Sequence, residues 1–213
     1  MESTLLLIPT HFELECFSTS FHRFAASHRC AIQLCGFGPV LSGIIAARLL
    51  AQYNPEQVLL AGIAGSLDPK LVSGDCLEFD EVLCYGIGSG SGNQFVSAGE
   101  MGWCQWRSED TGTEIRDTIC LRPSMHPNSP AQLLTSTAAA ANATDVRMRL
   151  EKHPAAQAED MEGFAVAAAC KLAQKPLRIL RGISNLAGVR DKSLWRVGEA
   201  MASVEKALVQ VLS

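Results

Sequence analysis

Glu159-Asp160-Met161-Glu162-Gly163-Phe164-Ala165-Val166-Ala167-Ala168-Ala169-Cys170, followed after a short break by Leu177-Arg178-Ile179-Leu180-Arg181-Gly182-Ile183-Ser184-Asn185, sets two polar signals inside apolar sequence. The alanine-rich run after Gly163 has strong helix propensity, and a carboxylate such as Glu162 in a first helical turn is favoured by the helix dipole. Leu177–Ile183 reads as a strand, with Ser184 and Asn185 where it runs out. In an open α/β sheet ligands bind at the carboxyl ends of the strands. A helix start and the end of the next strand can therefore bring Glu162 and Asn185 to one crevice.

Strands and helices alternate outward from there. Thr4–Ile8 is an unbroken apolar run stopped by Pro9, which reads as a buried strand. Thr10 can cap a helix that begins near Phe12, with Glu13 in its first turn. Arg29–Leu34 reads as a second strand, and Gly36 and Gly38 turn the chain into an apolar helix reaching Leu50. That turn is structural rather than a dinucleotide fingerprint, because Leu41 stands where the third glycine belongs. Val58–Ala61 reads as a third strand that breaks at Gly62 into a glycine turn through Gly65, where a ligand could approach the backbone amides.

From Tyr85 to Ser129 the periodicity collapses. Gly86–Asn93 is glycine-rich, but no Lys-Ser/Thr follows, so it is no nucleotide P-loop. This long irregular segment, with Trp103 and Trp106, is expected to cover the substrate or form an oligomer edge. Ala131–Thr135 reads as a further strand, small residues from Ser136 lead to a helix through Leu150, and a last helix runs from about Leu194 to Leu212. With no repeat or linker, the expectation is one domain over residues 1–213, a three-layer α/β/α sandwich around a central mixed sheet.

Composition narrows the function classes. A hydrophobic content of 47% with net charge −4 fits a soluble globular chain and lacks the basic face of a nucleic-acid binder. The eight cysteines form no Cys-x-x-Cys pair and no zinc-like Cys/His cluster, so we expect reduced structural thiols, no metal and a cytoplasmic home. Met1–Ile8 has no basic flank and too short an apolar run for a signal or a membrane span.

Asp160-Met161-Glu162-Gly163 followed by Arg181-Gly-Ile-Ser184-Asn185 resembles the purine nucleoside phosphorylase and nucleosidase superfamily. Gly62-Ile63-Ala64-Gly65-Ser66-Leu67 is similar to that superfamily's Gly-x-Ala-Gly-x-Leu loop, and Val72–Val82 to its Val-Gly-Asp…Asp-Glu-Val strand. The continuation from Ser184 through Arg190-Asp191 to Trp195 resembles more narrowly the futalosine hydrolases, nucleosidases of menaquinone biosynthesis. The resemblance implies a metal-free, cofactor-free enzyme acting on a small purine nucleoside with water as nucleophile, and a homodimer or larger assembly. It implies Glu13 as the base that activates water, with Glu15 a nearby rival, since Pro9-Thr-His-Phe-Glu13 departs from the small-residue pattern of methylthioadenosine nucleosidases. Ile63 stands where these nucleosidases often carry serine, so water placement would rest on Glu13 and backbone amides. Ser136 and Thr137 would wall the base pocket. Ile63, Ala64, Gly65, Asp160, Met161 and Ser184 would complete the substrate contacts.

Cleaving the bond between ribose and purine develops positive charge on the sugar and negative charge on the base, and both need stabilisation. Glu162 suits the ribose 2′-hydroxyl. Asn185 offers an NH₂ donor to N7 and O6, which favours hypoxanthine over adenine, where nucleosidases usually carry aspartate. No arginine neighbours Glu13 or Gly62–Leu67 in sequence, which favours water over phosphate, although the directions of Arg48, Arg181 and Arg190 are open. Asp191 could cap the last helix; on the resemblance, Arg190 could instead pair the carboxylate of futalosine. The alternatives are another purine nucleosidase acting on methylthioadenosine, S-adenosylhomocysteine or aminodeoxyfutalosine, a phosphate-dependent phosphorylase, and a catalytically silent purine-binding protein.

Overall fold

The computed structural model describes residues 3–122 and 130–213. In chain order the elements are β1 (Thr4–Ile8), α1 (His11–Glu15), α2 (Thr19–Ser27), β2 (Cys30–Leu34), α3 (Gly38–Tyr53), β3 (Gln57–Ser66), β4 (Cys76–Phe79) and β5 (Glu81–Tyr85). Two small hairpins follow, β6 (Gly88–Ser89) with β7 (Val96–Ser97) and β8 (Trp106–Arg107) with β9 (Glu114–Ile115). The chain continues with β10 (Thr118–Cys120), β11 (Gln132–Ser136), α4 (Ala143–Lys152), β12 (Ala156–Asp160), α5 (Gly163–Leu172), β13 (Leu177–Leu186) and α6 (Val197–Leu212).

The central sheet is mixed and flanked by helices. β1 lies parallel between β2 and β3, with Thr4 opposite Cys30 and Gln57. Side chains alternate across a strand, so the wholly buried β1 feeds both faces. Leu5 and Leu7 pack in a core with Ala46 and Leu49 of α3 and Phe164 and Ala167 of α5. Leu6 and Ile8 pack in the opposite core with Phe21 of α2 and Met201 and Val204 of α6. Fully burying one such leucine contributes about 1.5–3 kcal/mol. A strand stabilised on both faces is rigid, and its carboxyl end is a firm platform for Pro9–Glu13.

β3 pairs in parallel with β13 along its whole length and turns antiparallel to β12 at Gly65 and Ser66. β13 pairs antiparallel with β4, and the chain bends at Asp80 into β5, which pairs with β11, which pairs with β12. The hydrogen-bonded ladder thus returns to β3. The expected glycine turn is instead straight strand through Ser66. Gly62 has no side chain to collide with the groups behind it, and the partners β13 and β12 satisfy the backbone that a turn would have left open. The Tyr85–Arg122 stretch carries the two hairpins and β10, and none of its residues lines the main cleft. Ser129 and residues 123–128 of that segment lie outside the described residues.

None of the eight cysteines is in a disulfide. Burial pushes the Cys35 and Cys170 thiols up to about 12. Among the described residues no helix is long and apolar enough to cross a membrane.

Candidate active site

A cleft of about 1040 Å³ opens where β1, β3 and β13 end. Thr10 caps α1 by accepting from the Glu13 amide at 3.2 Å, and its hydroxyl donates to Glu13 Oε2 at 2.5 Å. The cap turns Glu13 inward: its Oε1 accepts from the Ile63 amide at 3.0 Å, and the residue is 4% exposed. Glu15, two residues on, is exposed and does not line the cleft.

Glu162 sits at the N-cap of α5. Its Oε1 accepts from the Gly38 amide at 3.0 Å, and its Oε2 lies 3.3 Å from Arg181 Nη2. The Gly36–Gly38 turn therefore reaches the site, and Gly38 adopts a positive φ of 78° to do so. Burial pushes the Glu162 carboxyl up to about 7, Arg181 pulls it down less strongly, and Asp160 adds to the rise.

Arg181 is fully buried on β13 and is the charged group beneath the cleft. It pairs with Asp160 and with Glu162. A side chain on Gly62 would meet Arg181 Nη1, and would lie 2.5 Å from Glu13 Oε1. One guanidinium thus stands against three carboxylates, and a buried charge is tolerable only with such partners. Its Nη2 makes both ion pairs, while its buried Nε and Nη1 have no hydrogen-bond partner among the described residues. The pattern Arg-Gly-Ile-Ser-Asn contained it, but inward direction is set by the alternation of a strand whose faces only the fold assigns.

Asp160 has a fully buried side chain that accepts from Thr135 Oγ1 at 2.6 Å and from the Gly163 amide at 2.8 Å besides pairing with Arg181. Its side chain braces Arg181 and the start of α5, and the residue is among those that line the cleft. Met161 lines the cleft directly, as do Ile63, Ala64 and Gly65 of β3.

The β13 register slips between Ile183 and Asn185, and a slip of this kind re-aims side chains. Ser184 and Asn185 both line the cleft. Ser184 Oγ donates to Asn185 Oδ1 at 2.7 Å, and Asn185 Nδ2 donates to the Leu186 carbonyl at 2.8 Å. Ser136 and Thr137 are not brought to the cleft. Ser136 is buried with its hydroxyl donating to the Ala138 carbonyl at 2.6 Å, Thr137 is exposed, and Ala138, Ala139 and Ala140 form the wall. The strand β11 ends at Ser136 and the chain bends at Thr137 and Ala138.

Arg190 and Lys192 are the cations of the cleft lining, and both are exposed. Asp191 caps the single turn Lys192–Leu194, accepting from the Ser193 amide at 2.9 Å, rather than α6, which starts at Val197. Trp195 lines the cleft and donates from Nε1 to the Val189 carbonyl at 3.0 Å. Phe12 and Phe37 add aromatic surface.

A family model described as the phosphorylase superfamily matches residues 4–213. The chain belongs to the phosphorylase superfamily. It is 30% identical over 155 residues to a futalosine hydrolase of Streptomyces coelicolor, a match covering 72% of this chain and 63% of that relative. It is 25% identical over 209 residues to a 5′-methylthioadenosine/S-adenosylhomocysteine nucleosidase of Mycobacterium bovis, covering 87% of this chain and 82% of the relative. Among solved structures, the nucleosidase of that same name from Neisseria meningitidis, in complex with methylthio-immucillin-A, superposes with a TM-score of 0.76 at 18% identity, covering 100% of this chain and 99% of that one. These two relatives of this phosphorylase-superfamily chain are hydrolytic by name, and the substrates their names give differ.

Proposed function

We propose that the chain is a purine nucleosidase that hydrolyses the N-glycosidic bond of futalosine and releases hypoxanthine. The observation that carries the reading is the convergence of Glu13, Glu162 and Asn185, which are far apart in sequence, on one cleft. Glu13 activates water, its carboxylate held by Thr10 and the Ile63 amide. Glu162 accepts from the ribose 2′-hydroxyl, a contact that strengthens as the sugar becomes cationic. Asn185 turns its carboxamide from Leu186 toward the purine N7 and O6 and stabilises the departing base. Arg181 acts as a positioning residue that balances the three acids. Met161 packs beside the sugar.

Water rather than phosphate is favoured by charge. Arg181 is fully buried beneath the cleft with its Nη2 held by Asp160 and Glu162, and the cations of the cleft lining, Arg190 and Lys192, are exposed. That pair supports a substrate with an anionic group beyond its ribose, which is the reason for preferring futalosine to methylthioadenosine. A second copy of the chain is the partner we assign to the exposed apolar residues Val40, Leu41 and Ile44 of α3, which continue from Phe37 at the cleft. The test is a base-release assay on futalosine, inosine and methylthioadenosine, each with and without phosphate. Phosphate-independent release of hypoxanthine from futalosine, fastest of the three, is expected. Phosphate-dependent turnover, or adenine release as the fastest reaction, would replace this reading.

A further inference from the structure

Thr10-His11-Phe12-Glu13 has the spacing of a capping box, in which the N-cap hydroxyl accepts from the third helical amide and the acid at that position reaches back to the N-cap amide. Half of the box is present: Thr10 Oγ1 accepts from the Glu13 amide at 3.2 Å. The other half is diverted. The Glu13 carboxylate crosses to β3, where Oε1 accepts from the Ile63 amide at 3.0 Å, and Oε2 accepts from the Thr10 hydroxyl at 2.5 Å. One hydroxyl thus fastens the helix start and the acid together, and Thr10 is itself half-buried on the cleft lining.

The two carboxylate oxygens have unequal surroundings. Oε1 meets an amide N–H, which can only donate, and a side chain on Gly62 would touch both this oxygen, at 2.5 Å, and Arg181 Nη1. A proton on Oε1 would therefore face a donor on the cationic side of the acid. Oε2 meets a hydroxyl, which has one hydrogen and two acceptor positions. The Glu13 amide takes one of those positions, so Thr10 retains one with which it can accept once its hydrogen turns away from Oε2.

We propose that Thr10 is a positioning residue that directs the proton of the attacking water to Oε2 of Glu13, donating to that oxygen while the acid is ionised and accepting from it once it is protonated. The proposal rests on the nucleosidase reading with Glu13 as the base. In the step, the water oxygen bonds to the anomeric carbon and one water O–H breaks, its proton passing to Oε2. The carbon–nitrogen bond breaks with its electron pair leaving on the purine. Glu13 then gives its proton to solvent and the purine takes one, so water is the only co-reactant. A hydroxyl that donates to a carboxylate makes a short, charge-assisted bond, and it holds the acid in place before substrate arrives. Loss of such a bond corresponds to roughly tenfold to a hundredfold in rate.

The experiment compares the wild type with Thr10→Ser, Thr10→Val and Thr10→Gly, by initial rates in water and in deuterium oxide and by thermal scans. The substrate is whichever of futalosine, inosine and methylthioadenosine the wild type hydrolyses fastest. Serine keeps the hydroxyl, valine keeps the shape without it, and glycine removes it while remaining a serviceable N-cap. We expect kcat of the serine variant to stay within about threefold of wild type and kcat of the valine and glycine variants to fall roughly tenfold to a hundredfold. Their solvent deuterium effect on kcat should exceed that of the wild type, and KM should stay nearly constant in all three, because Thr10 acts through Glu13. A capping role alone would lower the Tm of Thr10→Val and leave kcat of Thr10→Gly at the wild-type value, and that result overturns the assignment. So does a rise in KM at constant kcat, which would make Thr10 a substrate contact, or an isotope effect that does not change. If the valine variant does not fold, glycine against serine carries the same comparison. An unchanged kcat in variants of a wild type that hydrolyses nucleosides removes Thr10 alone. A wild type that hydrolyses none of the three removes the nucleosidase reading with it.

Discussion

Replacing Glu162 by glutamine keeps the shape of the side chain and removes its charge, and the consequences for stability and activity have opposite signs. In the folded chain this carboxyl titrates near 7, against an ordinary value of 4.5, because burial outweighs Arg181. Below about 4.5 the group is protonated whether or not the chain is folded and contributes no pH dependence. Between 4.5 and about 7 the unfolded chain loses the proton while the folded chain retains it, so stability falls as pH rises. Above 7 both are ionised and the loss is complete. At about 1.4 kcal/mol per unit, this difference amounts to ~3 kcal/mol. For a chain of 213 residues that is roughly 6–12 °C in Tm. The side chain is almost fully buried, so solvent screening discounts this little. Glu162→Gln should therefore remove a downward slope of Tm between pH 5 and 7 while lowering kcat/KM about 100-fold, the scale of a lost charged hydrogen bond to the ribose. Wild-type kcat/KM should rise with pH through about 7, an apparent value belonging to the coupled Glu162–Arg181–Asp160 group. Calorimetric scans and initial rates on both chains over pH 5–8 measure this. Parallel Tm–pH curves for the two chains, or a variant that retains wild-type kcat/KM, would refute the reasoning.

Three further outcomes follow from the same geometry. Asn185→Asp should move relative kcat/KM from futalosine toward its 6-amino counterpart by at least tenfold, because a protonated carboxyl donates to N7 and its carbonyl accepts from the amino group; an unchanged ratio removes the basis for naming the base. Gly62→Ala puts a methyl group against Arg181 and 2.5 Å from Glu13 Oε1, so a stability loss of about 1–3 kcal/mol in denaturant titration should accompany a drop in kcat, and wild-type kcat would show that Glu13 is not the base. Arg190→Ala should raise KM about tenfold for futalosine and leave inosine unaffected, since an exposed cation contributes through the substrate carboxylate alone; equal effects on both would point to a structural role.

Much of the site was legible because its signals are local. Thr10 three residues before Glu13 is a capping pattern, and the cap alone turns Glu13 inward while leaving Glu15 exposed. Gly163 after Glu162, with alanines beyond, starts a helix wherever it lies. By contrast, β12 was not read as a strand, because Ala156-Gln-Ala-Glu-Asp160 has little β propensity and is held by pairing with β11 and β3. Ser136 and Thr137 were placed on the pocket by analogy of residue type, and the turn at the end of β11 puts three alanines there instead.

The amino-acid sequence by itself located β1, β2, β3, β11 and β13 and the helices α3 to α6, and determined that the chain is α/β and which acids and amide stand at element ends, while α2 and the small hairpins went unread. Those properties depend on residues a few positions apart. The tertiary structure alone decided that Arg181 lies beneath Gly62 facing three acids, that Asp160 serves that arginine, and that Arg149 holds Glu159 at the cleft. Each of these pairs residues at least ten positions apart, or far further, across strands and helices. Burial also makes the charges interact strongly, and no spacing along the chain encodes how deep a side chain will lie.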